Sequence, residues 1–195
     1  MTIRQIVSCR GWSSDAYWAA RASVELERAG HDVALVCKRR SEARVIRRAR
    51  AAGVTRIETL ELASGVKPIA DSMDLRRMIR WLPGTDVLHV HRGKEHWLAA
   101  LANRLSGVRR PLVRTRHIVL PVRPHALNRW LYNRATDLVV TVTEAIRLQL
   151  VAAGLGAAER IIALPGGVDA DRFHADPAPP VASGLRAALP EVSPD

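Results

Sequence analysis

Lysine, cysteine, phenylalanine and long apolar runs are all scarce in this chain. Of its 195 residues, three are lysines (Lys38, Lys67, Lys94), two are cysteines (Cys9, Cys37) and one is a phenylalanine. Two cysteines exclude a disulfide scaffold and any Cys-rich zinc module. No uncharged stretch approaches the ~20 apolar residues of a membrane span. Met1 to Arg10 has no apolar core ahead of Cys9 and Arg10, so a signal peptide is not expected and the expected location is the cytoplasm. Acidic residues are absent from His96 to Thr136, a segment that carries eight arginines.

What is abundant is arginine. Lys+Arg total 30 against 19 Asp+Glu, a formal net charge of +11. A second basic stretch, Lys38 to Arg56, holds eight cations and one acid, Glu42. Such fields attract phosphorylated small molecules, nucleic acid or an anionic membrane, and the planar guanidinium suits phosphate and carboxylate. A solvated surface in a chain that favours Arg over Lys throughout is the plain alternative. Charge alone does not name the ligand.

Apolar residues make up 48 % of the chain, a globular balance. Seven short apolar runs, Ile3–Ser8, Asp32–Cys37, Thr55–Leu60, Asp86–His91, Pro111–Arg116, Asp137–Val142 and Arg160–Leu164, alternate with helical periodicities. The runs are too continuously apolar for a wet face, which predicts a parallel sheet covered by helices on both faces. The helix after the first strand is expected to bury Ala19, Ala22, Leu26 and Ala29, and the helix after the fourth Leu98, Leu101, Ala102 and Leu105. A basic helix is expected over Glu42–Ala52, one helix is expected to end at Pro83-Gly84, one spans Pro124–Arg134, and Thr143 caps another. The fold class is a Rossmann-like α/β domain over residues 1–175. Residues 176–195, with Pro177, Pro179, Pro180, Pro190 and Pro194, read as a linker.

A parallel sheet brings every strand's carboxyl end to one edge, where ligands bind. That edge would gather Gly11 to Asp15, Lys38 to Arg40, His91 to Glu95, Arg116 to His117 and Thr143 to Glu144, with Gly11, Ser13, Ser14, His91, Arg116, His117 and Glu144 as the candidate site residues. The first turn, Arg10-Gly11-Trp12-Ser13-Ser14-Asp15, has one glycine, so a Gly-x-Gly-x-x-Gly dinucleotide site is not expected and no cofactor is assigned. Its helix N-terminus can hold a phosphate, although plain capping by Ser13 or Ser14 is the preferred reading of those residues. His89, His91 and His96 lack a completing carboxylate or thiolate at ligand spacing, so a structural reading is preferred to a metal site. No nucleophile elbow is present. Trp12, Trp97, Trp130 and Tyr132 amid arginines invite a nucleic-acid reading, but no binding signature accompanies them and nucleic acid is set aside as a partner.

At Leu164-Pro-Gly-Gly-Val-Asp-Ala-Asp-Arg-Phe173 the chain resembles the interdomain signature of family 4 retaining glycosyltransferases. Asp86-Val-Leu-His-Val-His91, Pro111-Leu-Val-Arg-Thr-Arg-His117 and Asp137-Leu-Val-Val-Thr-Val-Thr-Glu-Ala-Ile146 resemble, in order, the strands that precede it. The stretch Val113–Asp137 is most similar to branches that build bacterial lipopolysaccharide and related cell-surface glycans. The resemblance implies the N-terminal, acceptor-binding half of a metal-independent GT-B enzyme. His117 would point into the cleft near the transferred sugar, and Gly11–Asp15 would line it beside the donor phosphates. The sequence departs from the family pattern at Ser13-Ser14, where a glycine pair is usual, and at Gly166, where asparagine is usual.

Family enzymes run to about twice this length, and their second half binds the nucleotide sugar. Gly184–Pro190 resembles the start of that half, so the expectation is a fragment, a truncated product or one chain of a split enzyme. The implied partners are a nucleotide-sugar donor held by a C-terminal domain and an anionic glycan or glycolipid acceptor. Arg109, Arg110, Arg123 and Arg129 are the candidates for peripheral contact with anionic lipid on the inner face of the plasma membrane. The competing reading is a non-catalytic basic module docking on such a membrane or on a partner chain.

Overall fold

The computed structural model describes residues 1–40 and 43–167. Ser41, Glu42 (where the basic helix was expected to begin), the Val168–Phe173 part of the interdomain signature and everything after it lie outside the described residues. Seven strands, β1 (Thr2–Val7), β2 (Asp32–Lys38), β3 (Ile57–Leu60), β4 (Val87–Val90), β5 (Leu112–Arg116), β6 (Leu138–Thr141) and β7 (Ile161–Ala163), form one sheet in the order β3-β2-β1-β4-β5-β6-β7. Every pairing is parallel. Each strand predicted from an apolar run is present, within a residue or two of the expected bounds. The fold is the expected Rossmann-like α/β sheet.

Six helices connect the strands: α1 (Ser14–Arg28), α2 (Ala43–Ala51), α3 (Pro68–Trp81), α4 (Gly93–Leu105), α5 (Ala126–Trp130) and α6 (Glu144–Ala152). One cluster packs Ile6, Leu88, Val90 and Leu112 of the sheet against Met78, Leu82, Leu98 and Ala102. A second packs Val7, Leu35 and Cys37 against Ala16, Ala19, Ala20, Val45 and Ala49. Burial on both faces is why the strands read as unbroken apolar runs. Gly30 and Gly53 close α1 and α2 with φ of +86° and +101°, the left-handed turn that glycine adopts without strain. Pro68 opens α3, where its missing N–H costs nothing.

Three local expectations are corrected. α4 buries Leu98, Ala99, Ala100 and Ala102, whereas Leu101 and Leu105 are 37 % and 63 % exposed. α1 buries Ala16, Ala19, Ala20, Ser23 and Val24, leaving Ala22 and Leu26 half-buried and Ala29 exposed. In both helices small residues let the helix lie close on the sheet, so the alanine-rich face wins over the leucines. The helix expected over Pro124–Arg134 is α-helical only over Ala126–Trp130 and continues as a π-helical turn, Leu131–Ala135, that buries Leu131 and Tyr132. Among the described residues no helix is long and apolar enough to cross a membrane.

The packing predicts a contrast between two leucines. Leu88→Ala, at a fully buried sheet position, should cost about 2–5 kcal/mol in denaturant unfolding. Leu105→Ala should change stability by no more than ~0.5 kcal/mol.

Candidate functional site

β1 and β4 are neighbours, but the chain leaves β1 toward β2 and leaves β4 toward β5. A crevice therefore opens between their carboxyl ends, the switch point at which α/β sheets bind ligands. One carboxylate spans it. Glu95, in the first turn of α4, accepts hydrogen bonds from the backbone N–H of Ser8 (3.1 Å) and of Arg92 (2.8 Å). It is fully buried, and burial raises its carboxyl above the usual range against the pull of those donors and of Arg114. Across the crevice, Arg92 pairs with Asp15 in the first turn of α1, and the Ser13 hydroxyl donates to the same carboxylate. Burial opposes the charge on Asp15, but the hydrogen bonds from Arg92 and Ser13 prevail and hold it below the ordinary range. Ser13 thus sits at the N-cap without capping: its hydroxyl is spent on Asp15.

The sheet face beneath α1 carries a row of polar side chains. Gln5, His89, His91, Thr115 and His117 share it because parallel partners and alternate residues point the same way. His89 Nε2 pairs with Thr115 Oγ1 at 2.7 Å. His91 Nε2 donates to Gln5 Oε1 at 2.8 Å, which leaves His91 Nδ1 to accept from His117 Nε2 at 3.1 Å. In this arrangement His117 Nδ1 carries the free lone pair. The imidazoles stack, with centroids 4.6 Å (His89–His91) and 5.4 Å (His91–His117) apart, and Trp18 lies edge-on to His89 and His117. Burial drives all three basicities down, to about 3 for His89, well below normal for His91 and to about 4 for His117. The charge of Arg114 adds to each depression. These are neutral hydrogen-bonding imidazoles. Among the described residues, no three His, Cys, Asp or Glu side chains are grouped to hold a metal ion.

The opposite sheet face carries Arg114 and Arg116, two residues apart on β5. Between β5, the start of α4 and the α5 region lies a cavity of about 500 Å³, lined by Arg92, His96, Trp97, Arg114, Arg116 and Tyr132 among others, with Asp15, His91 and His117 also on its wall. Arg114 is 4 % exposed, and neither its Nε nor its Nη1 has a hydrogen-bond partner. Burial pulls the basicity of this guanidinium down, while the Tyr132 hydroxyl and Glu95 oppose the loss. Arg116 donates to the Leu120 carbonyl through Nη2 but leaves its Nε unpartnered. His96 Nε2 donates to Thr136 Oγ1 at 2.7 Å, since that hydroxyl is itself committed to the Leu131 carbonyl. Trp97 stacks on Trp130 with centroids 5.9 Å apart. Burial pushes the thiols of Cys9 and Cys37 up to about 11 and about 12, so neither is a ready nucleophile.

Of the candidates read from sequence, His91, Arg116 and His117 meet at this cavity. Gly11 and Ser13 line a neighbouring cavity of about 430 Å³ with Arg10, Arg44 and Arg92, which thus borders both spaces. Ser14 is exposed on the first turn of α1. Glu144 is exposed, accepts from Arg147 Nε at 2.8 Å and lines neither space. Arg109 pairs with Asp137, and Arg110 donates to the Leu82 and Pro83 carbonyls, both before β5 begins and so at the other end of the sheet. Arg123 and Arg129 are exposed after β5. Arg92 and Glu95 were placed at this edge from sequence without a role, and Arg114 was missed. Two arginines at i and i+2 on an otherwise buried strand, and Arg-x-x-Glu at a strand-to-helix junction, were the signals available.

A parallel sheet with a basic, histidine-lined crevice at its switch point defines a Rossmann-like ligand-binding domain. The family model of Glycosyltransferase Family 4 matches residues 17–172. The chain belongs to that family. Its fold is that of the N-terminal domain of GT-B glycosyltransferases. It is similar to HepE of Anabaena, solved with UDP-glucose (TM-score 0.74, 16 % identity, 96 % of this chain and 49 % of that one). It is also similar to a glycosyltransferase of Rickettsia africae (TM-score 0.73, 18 % identity, 99 % and 51 %). The lipopolysaccharide outer core galactosyltransferase WaaB matches at TM-score 0.63 and 13 % identity over 87 % and 46 %. The chain spans about half the length of these solved structures. No curated protein sequence matches it.

The buried imidazoles set an acid sensitivity. Each holds its proton less well folded than unfolded, so the stability that neutrality contributes is complete above the ordinary value of 6.5 and is lost as pH falls toward about 4 (His117) and about 3 (His89). The raised carboxyls of Glu95 and Asp74 work in the opposite direction but are fewer than the four depressed histidines His89, His91, His96 and His117. Thermal melts from pH 7 to pH 4.5 should show a fall of at least ~5 °C, and His117→Gln should flatten that slope.

Proposed function

We propose that this chain is the acceptor-binding domain of a retaining glycosyltransferase that moves a sugar from a nucleoside-diphosphate sugar to a bacterial cell-surface glycan or glycolipid. The observation that carries the reading is His117. It is a neutral imidazole oriented by His91 and Gln5, set on the wall of a basic cavity at the sheet's switch point, in a Family 4 chain. With its Nδ1 lone pair free, His117 can accept a hydrogen bond from a sugar hydroxyl and fix the ring without drawing a proton away.

The adjacent space beside Gly11 and Ser13 suits the donor diphosphate. Arg10, Arg44 and Arg92 supply positive charge there, and Ser13, the residue ahead of α1, brings the positive end of that helix to the same wall. A second α/β domain would hold the nucleotide, as HepE, solved with UDP-glucose, gives reason to expect. Exposed Ile118, Val119, Leu120 and Leu127, with Arg123 and Arg129 nearby in sequence, suit a bilayer surface that is apolar inside and anionic at its face. That loop is also what favours the second reading, a membrane-docking module without catalysis.

Two measurements separate the readings. The chain joined to a donor-binding domain that demonstrably binds UDP- or GDP-sugar should transfer sugar, and His117→Ala should lower kcat/KM by about 10²-fold. No transfer by that joined protein, together with binding to phosphatidylglycerol vesicles that Arg123→Glu abolishes, would leave the docking module as the function.

A further inference from the structure

Arg114 is the least explained charge in the described structure. A guanidinium taken out of water is stable only when charge and hydrogen bonds compensate it. No carboxylate lies within ion-pair distance of Arg114, although two of its three nitrogens are buried and unpartnered. The Tyr132 hydroxyl offers it a neutral partner, and Glu95 acts on it only at a distance, with Oε1 engaged by Ser8 and Arg92 and Oε2 buried without a partner. Asp15, the other acid on the cavity wall, is committed to Arg92. Beside Arg114, Arg116 leaves its own Nε unpartnered. The cavity therefore has three guanidinium groups on its wall, and its ionised carboxylate balances one of them. The histidines, neutral for the reason given above, add no charge and take none away.

We infer that Arg114, with Arg116, is the binding site for a single carboxylate or phosphate group carried by the acceptor sugar. The cavity of about 500 Å³ is of the size that takes a small ligand. Trp97 gives it an aromatic wall on which a sugar ring can lie, and the buried guanidinium fits a planar or tetrahedral oxyanion through paired N–H donors. The depth of Arg114 separates this site from the membrane-facing arginines: a flat bilayer cannot reach a side chain that is 4 % exposed. The anion is thus part of a compact sugar, and its charge fixes how that sugar is turned toward His117 on the same wall. The identification of the ligand as an acceptor rests on the glycosyltransferase reading. The anion site itself does not.

Calorimetry on the full chain, at constant ionic strength set with chloride, compares glucuronate, glucose 6-phosphate and glucose. Either the carboxylate or the phosphate probe should bind at least about tenfold more tightly than glucose, as a charge-assisted hydrogen bond warrants; which one does so names the anion. Arg114→Met should remove that preference, Arg114→Lys should weaken it by roughly 3- to 10-fold because one point charge replaces a fork, and Arg28→Gln, far along α1, should leave it intact. Far-UV circular dichroism establishes that each variant is folded, and Arg114→Lys decides the matter if Arg114→Met is not. Anionic probes that bind no better than glucose overturn the inference, as does full preference in a folded Arg114→Lys or Arg114→Met chain. Transfer by the joined enzyme without anion preference would sink this inference and leave the function standing. Anion preference without transfer would do the reverse.

Discussion

The cleft depends on one buried carboxylate. Glu95 ties the end of β1 to the start of α4 by accepting from Ser8 N–H and Arg92 N–H, residues 87 and three positions away. Both donors lie where the chain turns off the sheet and no strand can satisfy them. Without that acceptor, two backbone N–H groups at a buried switch point would be orphaned, at a cost of about 1–3 kcal/mol each. By fixing Arg92 at the mouth of α4, Glu95 also sets the ion pair with Asp15 that bridges the crevice to α1. Position and charge at the site follow from the same residue.

The two faces of β5 then divide the chemistry. One face supplies neutral hydrogen bonding through Thr115 and His117, the other supplies charge through Arg114 and Arg116. The division is also a coupling: the buried positive charge of Arg114 is among the reasons that His89, His91 and His117 resist protonation. Burial is the main cause, and it outweighs even the Asp15 carboxylate, whose charge favours protonation of His117. The three imidazoles are thus a fixed array of hydrogen-bond donors and acceptors, the kind of array that holds a polar ligand in one orientation.

The inner strands were legible because they are buried on both faces and so leave nearly continuous apolar runs, whereas the edge strands β3 and β7 are only partly buried. Their order was not. Nothing in the runs themselves says that β1 lies between β2 and β4, and the crevice follows from that order. Helix faces were read less well for a definite reason: hydrophobicity favours Leu101 and Leu105, whereas close helix-on-sheet packing favours Ala99, Ala100 and Ala102. At the site, His91, Arg116 and His117 could be found because each closes a strand. Arg114 could not, because an arginine inside a strand reads as surface charge until the packing of α4 and the π-helical turn buries it. Glu144 stood out by the same strand-end logic, yet its position on the exposed face of α6 commits it to Arg147.

The excess positive charge is likewise not one field. Arg104, Arg109 and Arg134 line a space at the amino end of the sheet, with Arg109 offset by Asp137. Arg92, Arg114 and Arg116 line the cavity at the carboxyl end. A charge on the solvated side is screened within ~10 Å at ordinary ionic strength, while a buried one keeps most of its strength. The arginines that look alike in sequence therefore act at different ranges. Those at the amino end can raise the local concentration of anionic partners, but the buried pair on β5 alone can distinguish one oxyanion from another by shape. In this domain selectivity for an anion resides in arginines that read as surface charge in the sequence and that the fold buries.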